Sequence, residues 1–238
     1  MTSATAAATV GGMTMAGEGV LAFWHDVAPG GDGEFDQWHL REHIPERLAV
    51  PGFRRARRYT TLGAPPRYFY FYETESLDTL QSPGYLARLA DPTPWTRRSM
   101  PLVRNNIRTA CRVVATWGSA IGGVVATLQL GPRPGHEDEL RSWLTTTALP
   151  GAIEHVGIVA GHLLEGDAGV STAARSDEKK LLATPDALVR WVVLVEGIDP
   201  DAVEATCRDL LGPETLVRHG AADGATSGLY RLQLTLGG

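Results

Sequence analysis

Three stretches near the start of the chain change character from one residue to the next: EGVLAFWHDV (18–27), FRRARRYTTL (53–62) and RYFYFYET (67–74). A period of two is that of an extended strand, whose successive side chains point to opposite faces. Between the first two lies EFDQWHLREHIPERLA (34–49), where bulky residues recur three or four apart, and this spacing predicts a helix. A second helical segment is expected near 76–90 and another strand at 107–117. The order then begins again, with strands near 121–130, 156–165, 188–196 and 228–236 and helices near 135–148 and 200–211. Asp199-Pro200 is a favourable helix start, and Gly212-Pro213 a favourable stop.

Sliding the chain along itself accounts for the second round. A shift of 105 residues sets Glu34 over Glu139, Trp38 over Trp143, Pro45 over Pro150 and Gly52 over Gly157. A shift of 123 sets Glu73 over Glu196; the difference, 123 − 105 = 18 residues, falls in a stretch rich in Ala, Gly, Ser and charge. That stretch, 166–187, reads as an exposed inserted loop. The expected fold class is therefore α+β, built from two tandem ferredoxin-like βαββαβ repeats over 18–118 and 119–238, after a flexible N-terminal tail over 1–17. Each repeat would make an antiparallel sheet with its helices on one face, and the two bare faces would cover each other.

Composition narrows the setting. The chain has 238 residues, 43% hydrophobic and 21% charged, with a net charge of −5, so nothing draws it to nucleic acid or an anionic membrane. The basic run RRARR divides its charges between the two faces of a strand. Val113 to Pro132 carries one charge-free stretch, but glycines and alternating polar residues make it two buried strands rather than a membrane helix. Cys111 and Cys207 are read as free thiols of a cytoplasmic protein, and the polar start lacks the features of a secretory signal.

The run Trp38-x4-His43-Ile44-Pro45-x5-Pro51-Gly52-Phe53-x3-Arg57-Arg58-Tyr59 resembles the EthD-like branch of the dimeric α+β barrel superfamily. In detail the resemblance covers about 18–117; the second repeat matches only in layout. It implies a dimeric-α/β-barrel-type sheet-on-sheet arrangement and a cleft between sheet and helices, often with histidines at its mouth. The superfamily includes cyclases, isomerases, cofactor-free oxygenases, haem enzymes and proteins of no known reaction, so the fold does not select the chemistry. A tandem chain can replace a homodimer, and two such chains can also associate as a homodimer.

On a helix His39 and His43 share a face one turn apart. His39-Leu40-Arg41-Glu42-His43 also satisfies a zinc-peptidase pattern, H-x-x-E-H, but lacks a third ligand, and no metal is expected. An imidazole that titrates near neutrality suits general acid/base work. The plainer alternative makes His39 a solvated helix residue and His43 a helix-end residue before Pro45, close to the C-terminal carbonyls that favour its imidazolium. In the second repeat these positions become Leu144 and Ala148, while Trp143 and Pro150 persist, so any site is expected in the first repeat.

Alternation on the strands would place Phe53, Arg55, Arg57 and Tyr59 on one face, with Tyr68, Tyr70 and Tyr72 on one face of the next strand, and Trp24 on the first. These residues either form a buried polar network or line a cavity for an aromatic or carboxylate ligand, which arginine forks and tyrosine rings would suit. The expectation is a small-molecule enzyme with no cofactor, acting by proton transfer on an aromatic or polyketide-like metabolite as a cyclase, isomerase, lyase or cofactor-free oxygenase. His43 and His39 would be catalytic, and Trp38, Arg55, Arg57, Tyr59, Tyr70 and Trp24 would bind substrate. The alternatives are a non-catalytic metabolite-binding or assembly protein and, by analogy, a haem protein using His155 or His162.

Overall fold

The computed structural model describes residues 14–173, 177–182 and 187–237; most of the expected N-terminal tail and part of the expected inserted loop lie outside them. Strands are β1 Gly19–Val27, β2 Phe53–Thr61, β3 Tyr68–Thr74, β4 Val103–Gly118, β5 Val124–Leu130, β6 Ile158–Gly166, β7 Trp191–Gly197 and β8 Thr226–Gly237. Helices are α1 Asp32–Trp38, α2 Ile44–Leu48, α3 Pro83–Ala90, α4 Pro94–Ser99, α5 Glu137–Trp143, α6 Leu149–Ile153, α7 Ala168–Ala173, α8 Pro200–Leu211 and α9 Pro213–Arg218. The fold is mixed α+β, and its strand order, β1-β3-β2-β8-β5-β7-β6-β4, closes on itself. The pairs β1–β3, β1–β4, β2–β3, β2–β8, β5–β7 and β6–β7 are antiparallel.

The chain divides into two compact units, but not at one boundary near 118. One unit takes 16–112, 166–190 and the stretch from Tyr230; the other takes 113–165 and 191–229. The cuts fall inside β4 and β8, so each of these strands serves both units. In the second unit a core of Val124, Leu128, Leu140, Leu144, Leu149 and Val193 packs the α5–α6 and α8 helices onto β5 and β7. Asp199 caps α8 as expected, accepting from the Ala202 N–H at 3.0 Å. In the first unit, Leu21, Ile44, Phe53, Tyr72, Leu80 and Tyr85 form the corresponding core.

The helix expected at 34–49 runs from 32 to 48 but is not α-helical throughout: His39–His43 is a π-helical turn, with the Ile44 N–H donating five residues back to the His39 carbonyl. Pro45 explains it. A proline in mid-helix has no N–H and its ring collides with the carbonyl four residues earlier, here Arg41. Widening the turn ahead of Pro45 makes room for the ring, so the chain continues as α2 instead of ending at Ile44. The second unit makes the same adjustment before Pro150, where Leu144–Ala148 is π-helical and the Leu149 N–H donates to the Leu144 carbonyl. Each helical run is followed, in the turn just before the next strand, by a glycine with positive φ, Gly52 (φ 93°) and Gly157 (φ 89°), a conformation open to glycine at little cost.

Other expectations shift locally. The segment 76–90 splits into a 3-10 turn, Leu77–Gln81, and α3, because Ser82 caps a new start at Pro83 with its hydroxyl accepting from the Tyr85 N–H. Thr93-Pro94 starts α4 in the same way. A register shift between Phe53 and Arg55 moves Phe53 off the face of Arg55 and Arg57 and into the core beside Tyr72 and Tyr85.

Candidate functional site

Strand register decides which side chains meet the helices of the first unit. Leu21, Phe23 and His25 on β1 stand opposite Tyr72, Tyr70 and Tyr68 on β3, and Ala56 and Arg58 on β2 join the same face. The helical run α1–α2 lies over it, and the π turn points His39 and His43 inward, 0% and 4% exposed. The two rings stack 5.5 Å apart; His39 also lies 5.1 Å from Phe35 and 4.4 Å from Tyr70, and His43 lies 4.4 Å from Trp38. Trp38 is fixed by its indole N–H, which donates to Thr96 Oγ1 at 3.1 Å on α4. Neither reading of His39 as solvated nor of His43 at a helix end holds.

These imidazoles are held neutral. Burial is the largest cause, driving His39 and His43 well below the ordinary 6.5; Arg58 adds to it at His39 and Arg47 at His43. His25 sinks to about 4, again chiefly by burial. Both ring nitrogens of His39, Nδ1 of His43 and the Tyr72 hydroxyl are buried with no hydrogen-bond partner among the described residues. Burial also raises the Tyr72 phenol well above its usual range, so it stays protonated. Groups of this kind are costly to leave unmade, about 1–3 kcal/mol each, and call for an explanation.

A cavity of about 30 Å³ lies beside His43, within this unit. Its wall includes Phe23, Trp38, His43, Tyr70 and Tyr72, and on the other side Arg47, Asn106, Arg108, Glu178, Lys179 and Leu182. That volume holds roughly two waters. Glu178, Lys179 and Leu182 come from the segment expected to be an exposed insertion. Instead Glu178 is 8% exposed and forms an ion pair with buried Arg47, while Ser171, 2% exposed, accepts from the Ala110 N–H at 2.9 Å. Composition misled at these two positions because their polar groups are satisfied against β4, α2 and α3, where the Glu178 N–H also donates to the Leu89 carbonyl at 3.1 Å.

Of the residues singled out from sequence, the structure brings together His43, Trp38 and Tyr70 on the cavity wall, with His39 directly behind. Arg55, Arg57, Tyr59 and Trp24 stand on the opposite sheet face. There Glu73 receives Arg55 at 2.7 and 2.8 Å and Arg57 at 2.7 Å, and Trp24 and Tyr59 stack on Phe69 at 4.9 and 5.4 Å. Sequence reading missed Arg47, Arg108, Glu178 and Lys179. Arg47 had a signal, lying four residues after His43; the others are brought in by pairing across β1 and by the 166–190 segment.

No trio of His, Cys, Asp or Glu suited to a metal occurs among the described residues. Glu42, the acid of the H-x-x-E-H pattern, accepts instead from Thr93 Oγ1 at 2.5 Å. His162 does not suit an iron ligand: Nε2 meets Glu196 at 3.0 Å and Nδ1 meets Thr116 at 3.1 Å, so both ring nitrogens are engaged. His155 Nδ1 meets Thr206 Oγ1 at 3.2 Å.

No protein-family model and no curated protein matches the chain. Solved structures do. An anthrone oxidase-like protein superposes with a TM-score of 0.60 at 16% identity, covering 92% of each chain. A candidate monooxygenase of Fusobacterium nucleatum gives 0.57 at 9% identity, covering 94% of this chain and 96% of its own. A candidate chlorite dismutase, TA0507, gives 0.57 at 13% identity over 90% and 94%. The chain thus has the fold of the dimeric α+β barrel, ferredoxin-like proteins. No helix among the described residues is long and apolar enough to cross a membrane.

Proposed function

We propose that this chain is a cytoplasmic small-molecule enzyme, of the EthD-like kind, that moves a proton on an aromatic or polyketide-like metabolite bound beside His43 without a tightly bound cofactor. The observation that carries the reading is a neutral imidazole, His43, on the wall of an aromatic-lined cavity with its Nδ1 unpartnered. A neutral imidazole accepts a proton from an acidic C–H or a phenol, and the imidazolium it becomes is paired with the enolate or phenolate it creates. Trp38, Phe23 and Tyr70 offer ring faces to a flat substrate, and Tyr72, kept protonated, offers an O–H to developing negative charge. His39 lies behind the wall and serves as a positioning residue for His43, with which it stacks. Cyclisation, isomerisation and bond cleavage all follow from such a carbanion; oxygenation follows if dioxygen is the electron acceptor.

The first unit carries this chemistry. In the proposed tandem-repeat reading the second unit, with Leu144 and Ala148 in place of the histidines, is its structural counterpart. A ring-sized substrate exceeds 30 Å³, so binding requires the wall to move. That small volume also favours a second reading, a non-catalytic binding or assembly protein. Turnover of a panel of hydroxylated anthrones and β-dicarbonyl aromatics, followed by absorbance and oxygen uptake, separates the two. His43→Gln should cut kcat by ~10²–10⁴-fold while shifting Tm little; a variant as active as the parent removes His43 from the mechanism.

A further inference from the structure

The charges around the cavity point to the class of ligand. Three cationic side chains line it, Arg47, Arg108 and Lys179, against one carboxylate, Glu178. Arg47 is neutralised by Glu178 and Glu46. Arg108 is not: 5% exposed, it donates from Nη1 to the Ser171 carbonyl at 3.0 Å, lies 5.8 Å over the Phe23 ring, and pairs with no carboxylate among the described residues. Lys179 Nζ donates to the same carbonyl at 3.0 Å, so two cationic heads stand side by side at the cavity wall. A buried guanidinium without a counter-ion costs several kcal/mol, and an anion arriving in the cavity removes that cost.

We propose that the cavity takes an aromatic carboxylate, its carboxylate received by the Arg108 fork beside Lys179 and its ring lying against Phe23, Tyr70 and Trp38. The proposal rests on the reading of this cavity as a substrate site and adds the polarity of the substrate. It also fixes direction: the anionic group lies on the β4 and 177–182 side of the cavity, and the carbon or hydroxyl that loses a proton faces His43 on the helix side. Arginine is suited to this because its planar donors meet both carboxylate oxygens at once.

Isothermal titration of the full chain with 2-hydroxybenzoate and with 2-hydroxybenzamide tests it. The acid should bind at least about tenfold tighter than the amide, the scale of one charge-assisted pair. Arg108→Gln should bring the two affinities together. His43→Gln should leave the preference intact, so that loss of the acid–base role and loss of the anion site are read separately. Equal affinities in the parent protein, no binding of the acid, or a preference that survives Arg108→Gln would overturn the proposal. If Arg108→Gln does not fold, Arg108→Lys keeps the charge without the fork, and the preference should weaken; an undiminished preference again overturns it.

Discussion

His25, His39 and His43 are a liability to the fold as well as a resource for chemistry. An imidazole buried among Phe35, Trp38, Tyr68 and Tyr70 is stable only while uncharged. All three are depressed below 6.5 in the folded state, so the unfolded chain binds more protons between 6.5 and the folded values. Stability on this account is fully present above pH 6.5 and is lost as the pH falls below it, by up to about 1.4 kcal/mol per histidine per pH unit. Thermal melts from pH 7.5 down to pH 5 should therefore show Tm falling steeply below 6.5. His25→Phe, which fills the same aromatic site without a titratable group, should flatten that fall. A parent Tm indifferent to pH over this range would mean the imidazoles charge freely and are not buried as described.

At the level of elements, the π turn and two residues of the 166–190 segment, Ser171 and Glu178, behave differently from what composition suggests, for opposite reasons. Pro45 was legible as an interruption, but its effect depends on neighbours: Ile44 is only 1% and Arg47 only 2% exposed, so packing on both sides holds the helix together and the strain is taken up by widening one turn. Polar letters in 166–190 read as solvent-facing because sequence reports residue type and not partner; Glu178 is charged yet buried because Arg47, also buried, meets it. The histidines and Tyr70 were legible because they sit on regular periods, whereas Arg108 became visible only through its pairing opposite Phe23. The Arg47–Glu178 contact yields a prediction at this scale. Removing Glu178 leaves the buried Arg47 with only the longer Glu46 contact at 3.4 Å, so Glu178→Leu should destabilise by up to about 3–5 kcal/mol, while Arg47→Met with Glu178→Leu should return to within about 1–2 kcal/mol of the parent. Urea denaturation of the single and double variants checks this, and additive losses would show that the two side chains do not share one interaction.

Across the whole molecule, the order of elements was readable from period and punctuation, and the closed antiparallel strand order agrees with the α+β expectation. What could not be read is how the chain is parcelled out, because strand pairing far apart in sequence leaves no local periodic mark. The unit that carries the histidines does not end at residue 118. Its β2 is paired from Arg55 to Thr61 with β8 from Gly237 to Tyr230, at the far end of the chain. Its buried Arg47 is matched by Glu178, and the Ala110 N–H on β4 by Ser171 Oγ. A fragment of residues 14–118 therefore lacks one neighbour of β2, leaves Arg47 without Glu178 and exposes the cavity wall that Lys179 and Leu182 provide. Each deficit falls on buried backbone or buried charge, where a missing partner costs most. The fragment should show no cooperative urea transition and poor amide dispersion by NMR, while the full chain shows both, and adding a peptide of residues 166–237 in trans should restore order. A 14–118 fragment that folds cooperatively by itself would mean that the helical run and three-strand ladder of β1, β2 and β3 suffice, and that the distant segments only decorate them.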